Sequence, residues 1–164
     1  MRNFLLFLCL VFFTANNIAQ VPVAMPPEAD AFYNKAMPVI KPQLKNVIVK
    51  AASSLKNRQA NADSIFKSLH SNPVLKNMND ENIQGITTLI MIQASKDSDE
   101  DLKKMVLSMR NNNEAAQVLN TDSDDKKQLI LRKIMHRKSK MAEEISLIIK
   151  DVSENSETII NNLK

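Results

Sequence analysis

The chain has 164 residues, with one cysteine, one glycine and no tryptophan, and its formal net charge is +4. A single glycine disfavours sheets built from tight hairpins, and it excludes the glycine-rich loops that cradle phosphates. The apolar residues recur at spacings of three and four, which is the periodicity of helices. The sequence therefore predicts an all-α protein: a small helical bundle of four to five helices with a long C-terminal helix.

Residues 1–19 have the pattern of an export signal. Arg2 precedes an almost uninterrupted apolar run over 4–13, and Ala19 is a small residue at which a signal peptidase can cut. The run is shorter than the ~20 apolar residues that span a bilayer. We expect this segment to be cleaved and the protein to be exported to the periplasm or the extracellular space. Because Cys9 leaves with it, the mature chain has no thiol for a disulfide.

The mature chain is expected to contain a leader and one domain. Three prolines within 20–27 prevent regular structure, because proline lacks a backbone N–H and restricts the residue before it. This segment is predicted to be an extended, Pro-rich leader. Residues 28–164 are long enough for a single helical domain with a substantial core, and too short for two.

Prolines mark the first predicted helix boundaries. Pro27 suits the first turn of a helix, and Pro38 should end that helix. The apolar spacing after Pro42 stays helical as far as His70, so one long helix is expected between these two residues. The Asn-Pro pair at 72–73 stops it.

Two more helices are predicted in the middle of the chain. The first begins at 79–80 and is rich in apolar residues with little charge, so it should be the most buried element. Ser98 followed by Asp101 resembles a capping box, which predicts that a separate helix begins there.

The last predicted helix runs from about Asp124 to near Leu163 without proline or glycine. A helix of about 40 residues is roughly 60 Å long, which exceeds a compact domain of this size. We therefore expect part of it to project, to bend or to pack against a partner. The polar stretch 153–157 is where it should loosen.

A basic stripe on this last helix is the clearest candidate site. Seven Lys and Arg residues and no acidic residue lie within 126–140. Four of them fall close together on one helix face, away from the apolar residues Ile130, Ile134, Met141 and Ile145. These four are Lys126, Lys133, Arg137 and Lys140.

Two interpretations of the stripe remain open. It is either an anion-binding patch for lipid, polysaccharide or an acidic protein face, or the solvated flank of an amphipathic helix. Glu144 lies four residues after Lys140 and can pair with it. The export signal and the scarcity of aromatic residues disfavour nucleic acid as a partner.

No catalytic or metal-binding pattern is recognisable. Acidic residues cluster at 97–101 and 122–125, but the first cluster lacks the Gly and the Glu of an EF-hand loop. Both clusters are expected at helix N-termini, where negative charge is favourable. The two histidines belong to no ligand cluster, and no nucleophile motif exists. We expect no enzymatic activity, no cofactor and no metal.

Two functions follow as expectations. The first is a secreted or periplasmic, non-enzymatic helical protein that acts through protein–protein contacts, with an unknown partner or with itself as a homodimer. The alternative is a carrier or chaperone that binds apolar ligands or unfolded clients in a Met-rich helical groove, since methionine lines adaptable grooves. Binding to an anionic envelope surface through the basic stripe is compatible with either.

Overall fold

The computed structural model describes residues 24–55, 61–115 and 121–164, with side chains described over 24–55, 61–109 and 125–164. The predicted export signal and the first part of the predicted leader lie outside the described residues. Within the described ranges the chain forms six α-helices, one 3-10 turn and no strand. The all-α prediction is confirmed, although the helices number six rather than four to five.

The six helices follow one another with short connections. Both α1 and α2 begin with proline, whose missing N–H and fixed φ suit the first helical position. A 3-10 turn at Pro73–Leu75 follows the third helix, which ends before the Asn-Pro pair as predicted. The helices are α1 (Pro27–Ala36), α2 (Pro42–Ser54), α3 (Ala62–His70), α4 (Asp80–Ala115), α5 (Thr121–Glu154) and α6 (Ser156–Leu163).

The predicted single helix over 42–70 is wrong. α2 ends at Ser54, and α3 begins after Asn61, whose backbone is extended with φ −127° and ψ 125°. The Asn61 side chain accepts a hydrogen bond from the Ser64 N–H over 3.3 Å, so it caps a new helix. The apolar spacing continues across the break because α2 and α3 both pack against α4.

The predicted helix start at Ser98 is also wrong. α4 runs through this position for 36 residues without interruption. The Ser98 Oγ donates to the carbonyl oxygen of Ala94 over 2.8 Å, one turn back in the same helix, and so does not cap a new one. The acidic cluster 97–101 therefore lies in the middle of α4 and not at a helix N-terminus.

α4 is the central helix of the bundle. It begins after Asn79 as predicted, because the Asn79 side chain accepts a hydrogen bond from the Asn82 N–H over 3.0 Å. Each of the other five helices contacts it. The prediction that this element is the most buried agrees with its core residues, which are Ile83, Ile86, Leu89, Ile90, Met91, Ile92 and Ala94.

The last two helices close the bundle. α5 ends at Glu154, within the polar stretch where we expected the last helix to loosen, and α6 follows as a separate short helix. α6 buries Ile159, Ile160 and Leu163. It approaches α4 closely at Gly85, where an added Cβ would lie only 2.5 Å from the Ile159 Cγ2 atom.

Candidate functional site

The far ends of α4 and α5 leave the bundle as a pair. The buried core cluster includes α4 residues only as far as Ala94 and α5 residues only from Met141. No side chain described between these two residues joins that cluster. We call the part of α4 after Asp99 and the part of α5 before Lys138 the hairpin. Its α4 arm has about 16 residues and so extends for roughly 24 Å.

An ion pair closes the base of the hairpin. The Lys138 ammonium on α5 contacts the Asp99 carboxylate on α4, and both side chains are partly buried. The neighbouring Asp97 accepts a hydrogen bond from the Gln93 amide over 2.8 Å. The acidic cluster on α4 is therefore explained in part by side-chain contacts, one of which joins residues 39 positions apart.

A second polar network joins α1 to α4. The Tyr33 hydroxyl donates to Gln93, and the Lys96 ammonium lies 5.1 Å from the centre of the Tyr33 ring. Lys96 also pairs with Asp30 at 2.6 Å. Burial, and secondly the nearby Asp97 carboxylate, raise the pKa of Tyr33 above its usual 10.0. These contacts fix α1 on α4.

The structure brings the predicted stripe residues onto one face of α5. Lys126, Lys133 and Lys140 are exposed, whereas Arg137 is half-buried. The Nε atom of Arg137 is buried and has no hydrogen-bond partner among the described residues. Buried polar groups in proteins are nearly always hydrogen-bonded, so this N–H is an unsatisfied donor within the stripe.

Ile130 belongs to the stripe and not to the buried side of α5, which corrects the prediction. Its side chain is 46% exposed, whereas the other three apolar residues predicted on the buried side are indeed buried. At 100° per residue, Ile130 lies about 20° from Arg137 around the helix axis. The helical spacing that groups the four basic residues also places Ile130 among them, so the sequence carries this signal and the prediction overlooked it.

With Ile130 included, the stripe has heptad spacing. The residues alternate at intervals of four and three along α5, the pattern that keeps a straight contact with a second helix. The next position in the series is Glu144, whose carboxylate accepts a hydrogen bond from the Ala62 N–H over 3.4 Å. Glu144, which by its spacing can pair with Lys140, contacts the first turn of α3. We define the extended stripe as Lys126, Ile130, Lys133, Arg137 and Lys140.

Charge is separated along the chain. Residues 126–140 carry seven Lys and Arg and no acidic residue, a net charge of +7. The rest of the chain carries fifteen Lys and Arg and eighteen Asp and Glu, a net charge of −3. The basic segment therefore differs in sign from the remainder of the molecule.

A cavity of about 280 Å³ lies between α2, α3 and α4. The hydroxyls of Ser54 and Ser64 at this cavity donate to backbone carbonyl oxygens of their own segments. None of the described residues that line it is a methionine, so it differs from the Met-rich groove expected for a carrier. Its lining residues are Ala51, Ser54, Leu55, Ser64, Ile65, Ser68, Leu69 and Ile90.

The described side chains form no recognisable metal centre. Across 24–55, 61–109 and 125–164, no group of three or more His, Cys, Asp and Glu lies close enough together to hold a metal ion. His70 lies in the last turn of α3, as predicted, where its ring packs edge-on against Phe66 with centroids 4.7 Å apart. Its Nε2 atom is 3.4 Å from a carboxylate oxygen of Asp80. These contacts account for His70 without a ligand.

Among the described helices, none is both long enough and apolar enough to cross a membrane. No protein-family model, curated protein or solved structure matches the chain.

Proposed function

We propose that this is an exported, non-enzymatic helical protein that acts through protein–protein contacts, and that the hairpin is its contact surface. One observation carries the proposal. α4 and α5 continue past the core cluster, and there they expose large apolar side chains by 46% to 56%. These side chains are Val106, Leu107, Leu129 and Ile130.

The free energy of burying these apolar side chains favours binding of a partner. Complete burial of a Val, Leu or Ile side chain stabilises a protein by about 1.5–3 kcal/mol relative to full exposure. Four such side chains, each about half exposed, leave several kcal/mol available to a partner that covers them. Single exposed apolar residues are ordinary, but these four lie in one two-helix element outside the core. A partner that binds the hairpin would remove these four side chains from water.

The test is site-specific photocrosslinking in the cells that make the protein. A photoreactive residue replaces Leu129 in the hairpin or Val74 in the bundle, two positions that are both 53% exposed. We expect a crosslinked protein from position 129 and not from position 74. Once purified, that protein should bind the wild type and lose binding to a Leu129→Asp, Ile130→Asp variant. Crosslinks from position 74 alone would contradict the proposal.

The cavity favours a second candidate, a carrier of a small apolar ligand. Five of its eight lining residues are apolar, and its volume of about 280 Å³ suits a small molecule rather than an unfolded client. This volume lies just below the usual range for ligand pockets, about 300–1,000 Å³. Native mass spectrometry of the protein isolated from its source measures the mass of any retained ligand. A mass equal to that of the polypeptide alone would count against this candidate.

A further inference from the structure

We propose that the extended stripe binds an acidic amphipathic helix of a partner protein. This inference rests on the proposed function, because it specifies which part of the partner protein binds to the hairpin and its base. Two observations support it: the spacing of the stripe and the separation of charge.

The spacing of the stripe fits one helix. Residues 126 to 140 are separated by 14 helical steps, so the stripe is about 21 Å long. A partner helix of about four turns covers this length, and heptad spacing keeps both helices in contact throughout. At the end near the bundle, the contact between Glu144 and Ala62 places α3 over the next position of the series. The available surface is therefore limited to the extended stripe.

The cationic side chains of the stripe are complementary to carboxylates. Ile130 supplies one apolar contact, and the four other residues are cationic. Arg137 is only half-buried, and a carboxylate matches the planar fork of a guanidinium. Asp and Glu residues around one apolar position on the partner helix would complement this pattern.

Other occupants fit less well. A second copy that presented the same stripe would place like charges opposite one another, which opposes association. An anionic lipid surface would attract residues 126–140 but repel the acidic cluster at 122–125 that directly precedes them. Residues 126–140 also lack the Phe, Tyr and Trp that anchor many interfacial helices. An acidic helix can lie along α5 without covering the acidic cluster.

The experiment measures binding of the whole protein to two synthetic helical peptides by fluorescence anisotropy. Both peptides have about 15 residues, which form about four helical turns, with leucine at one heptad position. They differ only in carrying glutamate or glutamine at the flanking positions. We expect the glutamate peptide to bind more tightly, and its binding to weaken as salt increases. Equal affinity for both peptides, or no binding by either, overturns the proposal.

Two charge-reversal variants locate the binding surface. Lys133→Glu with Lys140→Glu changes the stripe, whereas Arg132→Glu with Lys150→Glu makes the same change of charge at exposed positions on another face of α5. The stripe variant should weaken binding of the glutamate peptide by about tenfold, and the control variant by less than about threefold. Circular dichroism verifies that both variants fold. An equal loss in the two variants overturns the proposal.

Two further measurements separate the alternatives. If the protein sediments with phosphatidylglycerol vesicles through the stripe and does not bind the peptide, the stripe binds a membrane and the proposal is overturned. If the protein self-associates through the stripe in analytical ultracentrifugation, the occupant is a second copy and the proposal is also overturned. A partner crosslinked from position 129 that binds the stripe variant normally would preserve the proposed function and overturn this inference. Peptide binding without any crosslinked partner would do the reverse.

Discussion

Replacing Gly85 with alanine places a methyl group in the contact between α4 and α6. The added Cβ would lie 2.5 Å from Ile159 Cγ2 and 3.7 Å from two other atoms of the same side chain. Carbon atoms pack at about 3.5–4.0 Å, so the two helices must separate locally by roughly 1 Å. Buried Ile160 and Leu163 on the same short helix oppose that movement.

Two opposing terms set the magnitude. In a helix interior, alanine is favoured over glycine by about 1 kcal/mol. An extra methyl group in a packed core costs about 1–3 kcal/mol. We therefore expect Gly85→Ala to lower the free energy of unfolding by about 1 kcal/mol and by no more than about 2. For a chain of this size, 1 kcal/mol corresponds to a decrease in Tm of about 3–5 °C.

A double-mutant cycle isolates the contact. Ile159→Ala removes the Cγ2 atom and should itself cost about 2–5 kcal/mol. In that background the methyl group of residue 85 fits, so the same Gly85→Ala change should stabilise the protein by up to about 1 kcal/mol. Urea denaturation followed by circular dichroism at 222 nm measures all four proteins. Gly85→Ala effects of the same sign and size in both backgrounds would refute the close contact.

The remaining predictions concern titration, capping, the hairpin base and export. Tyr33 is the only tyrosine, so ultraviolet titration should give one midpoint above 10.0, because burial and then Asp97 raise its pKa. The stability linked to Tyr33 is then fully present below pH 10 and is lost as the pH rises through the folded-state pKa; a midpoint at or below 10.0 would contradict this. Asn61→Ala should cost about 0.5–2 kcal/mol in urea melts because it removes the α3 cap, and unchanged stability would argue against capping. Asp99→Asn should increase amide hydrogen exchange in the hairpin and not in the core of α4. A uniform increase would mean that the ion pair stabilises the whole bundle and not the hairpin alone. N-terminal sequencing of exported protein should give a sequence that begins at residue 20. Exported protein that still begins at Met1 would contradict a cleaved export signal.

The features that could be predicted from the sequence depend on local chemistry. Proline stereochemistry places the starts of α1 and α2, and the Asn79 side chain caps α4 within three residues. The polar stretch 153–157 contains the end of α5 for a similarly local reason, since it offers no apolar side chain to bury. The stripe could also be found, because four cationic side chains at helical spacing must share a face of one helix.

The features that could not be predicted depend on contacts between distant residues. Apolar spacing alone cannot separate one helix over 42–70 from two helices that both face α4. Ser98 has the sequence context of a cap, but a helix that is already packed on the bundle uses its hydroxyl internally. Neither the half-burial of Arg137 nor the ion pair between Lys138 and Asp99, which are 39 positions apart, follows from helical spacing.

The contact between α1 and α6 has a consequence for the order of folding during synthesis. Lys35 on α1 contacts Glu157 on α6 across 122 residues, and the Lys41 N–H donates to the Leu163 carbonyl oxygen over 3.0 Å. At about 5–20 residues per second, a ribosome makes α6 roughly 6–24 s after α1. During that interval the contacts between α1 and α6 cannot form, although α1 can pack against α4 and α5 once these are made. Because the Lys41 N–H bonds to Leu163, closure of the bundle waits for the end of α6.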